Sequence, residues 1–478
     1  MPLRAGDYAL EVRSNKLWID VWHENRSLSR RIISIEEEAT GTLDCSIHRF
    51  GGAPGKISFL DLDRPQTAHR TLSGSRRNFG EQFRRMLHRQ FPGWELRSLS
   101  AAMDLQRSFS PLFPRARLTR GQHQIAAIAC PDAIHEPAFL TFATLWFAYV
   151  RERADRRVLS TTLRLFLPEG VGSLSAHRLH WMAGRELGAK LFLFNSDGSA
   201  GEVDPNDLGN LDTSVNSRYQ SPYLSPELQD SLRTLASRQG IGICPELSGC
   251  IGIRFQGIEF AKIEEGRLYL GLESKEEIPL SDFTRVEQFA EHLRLVSPEL
   301  TPQPERWLES AIRSHITALD PSLRTIPVHS QVLSLSGRDR DSIDLLAVSH
   351  SGHLSVVELK ATEDIHLPMQ ALDYWMRVNW HAQRGELDHL FPGVTLRPDP
   401  PRLLLVAPAI SFHSANETVL GHFSPAIDVE RIGINSDWQT NLKVVLRLSR
   451  GDRPQSHQNS YDRPKPIPYQ ESDRQSES

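Results

Sequence analysis

The segment from Asp341 to Lys360 constrains this chain more than any other. It reads as two apolar runs, Ile343 to Val348 and Leu354 to Lys360, joined by the polar turn Ser349 to His353. Gly352 can supply a positive φ in that turn. Leu345, Leu346, Val356, Val357 and Leu359 leave neither face of the pair polar, the pattern of strands covered on both sides. Three charges nevertheless interrupt the apolar runs: Asp344, Glu358 and Lys360. If Val348 pairs with Leu354, Asp344 faces Glu358, and opposed Cβ atoms in a ladder lie roughly 5 Å apart. Strand periodicity puts Lys360 on the face of Glu358. Two facing carboxylates destabilise a sheet unless a cation neutralises them, and hard Mg²⁺ (or Mn²⁺) prefers such oxygen donors. The competing reading is a cross-strand salt-bridge cluster on an exposed face, and the apolar flanks argue against it.

The chain has 478 residues, long enough for two or three domains. The longest apolar run, Ala138 to Val150, is about 13 residues, short of the roughly 20 a membrane helix needs. The first residues carry no apolar signal core, and the four cysteines, Cys45, Cys130, Cys244 and Cys250, show no Cys-x-x-Cys spacing. The expectation is a cytoplasmic protein without membrane, zinc ribbon or disulfide framework. Net charge is only -4. Its distribution is uneven: residues 1–200 hold 28 Lys and Arg against 20 Asp and Glu, and residues 201–300 hold 9 against 17. The basic excess is almost all arginine, in Arg76 and Arg77, Arg84 and Arg85, and Arg153, Arg156 and Arg157. These are either solvated helix faces or a phosphate-binding surface, since guanidinium forks suit phosphate oxygens.

Alternation predicts strands at Tyr8 to Val12, Leu17 to Trp22, Arg31 to Glu36 and Ile57 to Leu62, the first two as a hairpin. Helices are expected over 78–90, 140–153, 226–238, 281–295 and 305–319, and a hairpin turns at Glu265 and Gly266. Residues 195–226 read as a long loop. The polar tail 451–478 cannot bury enough surface to order itself. Comparison of the halves shows a weak repeat. The run ending at Pro168 and the run ending at Pro408 are followed, at the same distance, by Asn195-Ser196-Asp197 and Asn435-Ser436-Asp437. Cys130 then matches Lys360, Ile128 matches Glu358, Pro114 or Arg115 matches Asp344, and Thr141 matches Gln370. The hydrophobic skeleton repeats while the acids and the lysine do not.

With Asp344 followed by Glu358-Leu359-Lys360, the sequence resembles the PD-(D/E)xK, or restriction-endonuclease-like, nuclease superfamily. Gln370 and Tyr374 fit the QxxxY motif of its RecB-like branch. The element order over 305–319, 328–335, 343–348, 354–360, 368–383 and 403–407 is that of the family core, and the resemblance covers about residues 300–440. Ile343 stands where the family's proline is usual. The resemblance implies an α/β fold with a mixed central sheet, and a nuclease that hydrolyses phosphodiester bonds, with DNA the expected partner and RNA the variant reading. It implies Asp344 and Glu358 as Mg²⁺ ligands assisted by the Leu359 carbonyl, and Lys360 orienting or activating water. Gln370 and Tyr374 would support the site, and Glu309 would approach it from a preceding helix. Glu309 is also spaced for a surface pair with Arg313, and Gln370 and Tyr374 for a polar helix edge. Trp375 and Trp380 read as core, and His350, His353 and His366 as turn and loop residues. The expected organisation is a basic lobe over 1–200, a degenerate copy of the nuclease fold with β-hairpin additions. An acidic connecting region over 201–300 and the nuclease-like domain over 301–450 follow. The alternative function is a catalytically silent nucleic-acid-binding or scaffold protein that keeps this fold.

Overall fold

The computed structural model describes residues 8–13, 16–23, 26–39, 42–48, 54–60, 65–182, 187–195, 198–204, 213–215, 224–272, 274–296, 302–330, 332–335 and 345–449. The tail 451–478 lies outside the described residues. The chain begins with an antiparallel meander of five strands: β1 Tyr8–Arg13, β2 Lys16–His23, β3 Arg26–Ala39, β4 Thr42–His48 and β5 Pro54–Leu60. The expected first hairpin is present, with Arg13 opposite Lys16. Strand β4 was not expected. Its apolar residues occupy every second place only, and Cys45 and Ile47 are buried while Asp44 and Ser46 are not.

Helix α1, Pro65–Gln90, starts well before the expected Asn78. A six-stranded sheet follows, built from β6 Glu95–Ser100, β7 Arg115–Arg120, β8 His123–Ala129, β9 Ser160–Pro168, β10 Lys190–Phe194 and β11 Ala200–Val203. Strands β8, β9 and β10 run parallel, and the others pair antiparallel. Parallel neighbours need crossovers, supplied by α2, Glu136–Glu152, and α3, Ser173–His180. The helix α1 packs Phe83, Met86 and Leu87 on one sheet face, against Ala116, Leu118, Ala127 and Phe166. The opposite face, with Ile128, Cys130, Leu163 and Leu165, lies under α2.

Strand β12, Thr213–Val215, sits in the stretch expected to be a loop and pairs with a strand far along the chain. The acidic region carries its own core, made by α4 Pro226–Ala236, an antiparallel sheet and the helix α5 Phe283–Leu295. The sheet is β13 Ile241–Pro245, β14 Ile251–Phe255, β15 Ile258–Glu264, β16 Arg267–Leu270 and β17 Glu276–Ile278. The expected turn between β15 and β16 has positive φ at both Glu265 and Gly266.

The helix expected over 305–319 is two, α6 Pro304–Ser314 and α7 Ile316–Leu319, broken where His315 leaves helical geometry at φ -131 and ψ 37. Strand β18, Leu333–Leu335, is the short partner of β12. The last sheet takes β19 Leu345–Val348, β20 Leu354–Leu359, β21 Arg402–Pro408, β22 Val429–Ile434 and β23 Val444–Ser449. Helix α8, Leu367–Ala382, crosses from β20 to β21, and α9, Ala415–Leu420, from β21 to β22. The chain is therefore a mixed α/β protein.

The two mixed sheets share one plan. From β7 to β11 and from β19 to β23 the pairings run antiparallel, parallel, parallel, antiparallel. The ladders align the residues as the sequence repeat does. Cys130 N donates to Phe166 O at 2.8 Å, and Lys360 N to Val406 O at 3.0 Å. Arg115 stands opposite Ile128, the counterpart of Glu358. The lobes meet through matching helices: α2 touches α8, α2 touches α9, and α3 touches α8. The contacts of α2 with α9 and of α3 with α8 thus join crossover helices of one sheet to those of the other. At the junction Met182 forms an isolated antiparallel bridge with Phe423, its near-counterpart in the other half.

One hydrophobic core spans both lobes, from Leu140, Phe147 and Leu165 to Leu372, Trp375 and Phe423. Inside it, Arg178 of α3 is 1% exposed and grips Asp373 of α8 with two bonds of 2.8 Å, while its Nη1 donates to Pro137 O of α2 at 2.6 Å. Among the described residues no helix is long and apolar enough to cross a membrane. Removing one partner of a buried pair strands the other charge. Asp373→Ala should therefore cost about 3–5 kcal/mol in urea unfolding. The double variant Asp373→Leu, Arg178→Met should recover most of that loss.

Candidate functional site

The β19–β20 hairpin positions the residues singled out by the sequence. All of its strand residues are buried. The expected register is present, with Val348 opposite Leu354 and Leu345 opposite Val357. At the turn Gly352 has φ 83, and a Cβ there would collide with the carbonyl oxygen of Thr395. Ser349 N donates to His353 O at 2.9 Å, and Ser349 Oγ accepts from His353 N at 3.0 Å. Asp344, the residue before Leu345, lies outside the described residues.

The strand faces are sharply divided. Leu345, Ala347, Val357 and Leu359 pack with Leu308 and Ile312 of α6. Leu346, Val348, Leu354 and Val356 pack on the other side, with Leu372 and Tyr374 of α8. Period-two alternation puts Glu358 and Lys360 on that second side. Glu358 is 3% exposed and pairs across the parallel ladder with Leu405, itself under α8. Lys360 Nζ lies 3.6 Å from Asp364 Oδ2. Tyr374 is buried in the shared core, and the Oε1 of Gln370 is buried with no hydrogen-bond partner among the described residues. The carboxylate, the lysine and the two α8 residues thus belong to one side of one sheet.

Glu309 goes elsewhere. It sits on α6, which covers the opposite face, and pairs with Arg254 of β14 at 3.0 Å. Arg313, its expected surface partner, instead donates to Pro245 O at 2.9 Å and Ser330 Oγ at 2.8 Å. Both groups tie α6 to the acidic unit. Trp375 is core, its indole donating to Pro401 O at 2.6 Å, and Trp380 stacks under the guanidinium of Arg384. His353 bonds Pro400 O, and His350 is an exposed turn residue. His366 meets Thr141 Oγ1 at 3.2 Å across the lobe junction.

The first lobe holds different chemistry at the matching places. Ile128 and Cys130 lie in the apolar core, and burial pushes the Cys130 thiol up to about 12, so no thiolate nucleophile stands there. Arg84 and Arg85 are exposed on α1, where Arg84 pairs with Glu81 at 3.4 Å. Arg76 and Arg77 fall within α1, with side chains outside the described set. Arg153, Arg156 and Arg157 are exposed just after α2. The helices α1 and α2 cover opposite sheet faces, so the clusters flank the lobe on two sides. Sequence reasoning met Arg115 only as a match for Asp344 and passed over Arg117. Their alternation with Ala116 and Leu118 in β7 turns them to the α2 side, and that period was the available signal.

No protein-family model, no curated protein and no solved structure matches the chain. Among the described residues no group of three His, Cys, Asp or Glu side chains is placed to hold a metal ion. The donors that β20 offers are oxygens, the Glu358 carboxylate and the Leu359 carbonyl, a set that suits a hard divalent cation.

Two histidines, His329 buried and His366 half-buried, link the site's surroundings to pH. Burial lowers the pKa of His366 from its ordinary 6.5, with Asp364 opposing, and burial also lowers that of His329. Each stays neutral in the fold and gains a proton more readily when unfolded. Their stabilising contribution is complete above about pH 6.5 and is lost as pH falls towards the folded values. Melting temperature should therefore fall between pH 7.5 and 5.5, and the slope should flatten in His366→Gln and His329→Gln variants.

Proposed function

We propose that the C-terminal lobe is a divalent-metal-dependent nuclease with a restriction-endonuclease-like fold, and that DNA is its substrate. The observation that carries this reading is the Glu358 carboxylate, buried mid-strand on the α8 side, two residues from Lys360. A carboxylate kept there opposes sheet stability, which suits a group retained for chemistry. On the pairing expected from the sequence, Asp344 would face Glu358. Asp344, Glu358 and the Leu359 carbonyl would hold Mg²⁺ or Mn²⁺. The ion, when bound, supplies positive charge to phosphoryl oxygens as they gain negative charge. The Lys360 ammonium, near Asp364, would orient the attacking water in line with the scissile bond. Gln370 would add a hydrogen-bond acceptor, and Tyr374 would fix α8 against the sheet. By analogy with the superfamily the products are a 5′-phosphate and a 3′-hydroxyl.

The first lobe fits as a degenerate copy of the same fold. The shared strand plan, the contacts between crossover helices and the collinear repeat support a duplication. It has Ile128 and Cys130 where the other lobe has Glu358 and Lys360, so it would bind nucleic acid through its arginines and not cleave. A wholly silent scaffold is the competing reading, favoured by the first sheet, which keeps the same strand plan with Ile128 and Cys130 in place of Glu358 and Lys360.

Plasmid, linear and single-stranded DNA, and RNA, incubated with Mg²⁺, Mn²⁺ or EDTA, separate the two. Cleavage should require the metal. Asp344→Ala and Lys360→Ala should each lower it at least about a hundredfold, the scale of losing one charge-stabilising group, while binding persists. Metal-dependent cutting that survives in both variants would falsify the assignment.

Metal linkage gives a second test that needs no substrate. An ion that binds only the folded acid pair stabilises it by about 2.7 kcal/mol at a hundred times its Kd. Mg²⁺ should raise the melting temperature of the wild-type chain and leave a Glu358→Gln variant unmoved. An equal rise in that variant would place the ion elsewhere.

A further inference from the structure

The first lobe contains a cavity of about 400 Å³ between β6, β7, the C-terminal half of α2 and the turn at 104–109. One wall is aromatic and apolar, from Phe109, Trp146, Tyr149 and Val150. The other is cationic, from Arg115, Arg117 and Arg153. Arg115 is 6% exposed, and its guanidinium donates to Ala102 O at 2.6 Å and Ser110 O at 3.4 Å. It also lies over the Phe109 ring, 4.5 Å from the centroid. Arg153 lies 4.9 Å from the Tyr149 centroid. The Nε of Arg117 is buried with no hydrogen-bond partner among the described residues. The one carboxylate on the rim, Asp104, is engaged by Arg107 at 2.5 Å. Among the described residues none of the three wall arginines lies in an ion pair with a carboxylate.

Three guanidinium groups gathered round a partly enclosed space, with Asp104 on its rim already paired to Arg107, repel one another, and burial weakens their hydration. A phosphate group offsets both, because its oxygens accept paired N–H donors from arginine forks. The space also exceeds what a phosphate alone fills and lies in the range of small-ligand pockets, about 300–1,000 Å³. Its remaining wall is the kind on which an aromatic base packs.

We propose that this cavity is a nucleotide-binding site, with the phosphate held by Arg115, Arg117 and Arg153 and the base against Phe109, Trp146 and Tyr149. The nucleotide is either free or the phosphorylated end of a strand, and the chemistry of recognition is the same. The site rests on the first lobe alone. It requires neither a metal nor Glu358, so binding measured in EDTA fails or succeeds apart from the cleavage reading.

The full-length protein is titrated in EDTA with dTMP, thymidine and inorganic phosphate, by calorimetry and tryptophan fluorescence. Binding of dTMP should be at least about tenfold tighter than that of thymidine or phosphate, as expected when one charged hydrogen-bonding group is added to the ligand. Arg117→Gln and Arg153→Gln should each weaken dTMP by about tenfold with little change in melting temperature. Arg153 is exposed, so its variant keeps the test open should substitution within β7 impair folding. Hexathymidylate with and without a 5′-phosphate identifies the source: tighter binding than dTMP, dependent on that phosphate, assigns a strand end, and weaker binding assigns the free nucleotide. Saturable binding of dTMP that is absent at millimolar concentration, equal for thymidine, or unchanged in both variants overturns the proposal.

Discussion

The helical layer between the two mixed sheets is the constraint on which the rest of this structure depends. Each sheet has one face closed by its own outer helix, α1 or α6. The other face is closed only by crossover helices that are themselves shared. Trp375 has no solvent exposure, and its ring meets Trp181 of the first lobe at 4.7 Å between centroids. Phe147 of α2 meets His422 of the second lobe at 5.6 Å. Neither crossover layer could face water without exposing a large apolar surface, so each lobe completes the other. Within so apolar a layer orientation needs a directional contact. The fork from Arg178 to Asp373 and Pro137 supplies one, because it ties three helices at fixed angles.

This dependence explains what could be read in the chain before any coordinates. The hairpin at 345–359 was legible, register included, because apolar runs on both sides of a Gly turn admit few pairings. The strands ending at Pro168 and Pro408 were legible as apolar runs closed by proline, and both pair in parallel ladders. The role of Glu309 was not legible. Its partner Arg254 is distant in sequence, and helix spacing pointed to Arg313, the nearer cation. The break at His315 was equally hidden, since Ile312, Ile316 and Leu319 keep helical spacing across it while packing into one core. Strand β12 was lost in a stretch of Gly, Asp and Asn, because its ladder partner lies in β18. Local pattern thus reported elements whose partners are near, and missed those set by long-range pairing.

Glu358 and Ile128 mark the sharpest difference between the two mixed sheets. The two occupy matching rungs, one opposite Leu405 and the other opposite Leu165, and both neighbours are fully buried. In the first lobe the rung follows the demands of packing. In the second a carboxylate persists against them, in a strand where every other residue but Ser355 is apolar. The matching strand of the first sheet carries an apolar residue at that place, so the strand plan itself does not call for the charge. Arg115, opposite Ile128, shows the reverse case, a buried cation in the lobe that lacks the acids. The two sheets thus bury charges of opposite sign, Arg115 in one and Glu358 in the other, within one strand plan.

The acidic unit between them has a place in that division. It is clamped to α6 by the pair Arg254–Glu309, by Arg313 on Pro245 O, and by a close approach at Gly242. A Cβ on Gly242 would collide with Ser310, and Ser310 Oγ lies 3.2 Å from Cys244 Sγ. The contact is backbone against helix, with no long side chain to give way. The acidic residues of the β13–β17 unit are therefore held firmly on the outer side of the C-terminal sheet. For a polyanionic substrate that side is repulsive, within the roughly 8–10 Å reach of screened charge. Under the proposed nuclease reading, such a substrate would approach from the side of the arginine-rich first lobe. The buried pair at Glu309 would then serve function by holding a field in place, although the residue itself faces away from the proposed site.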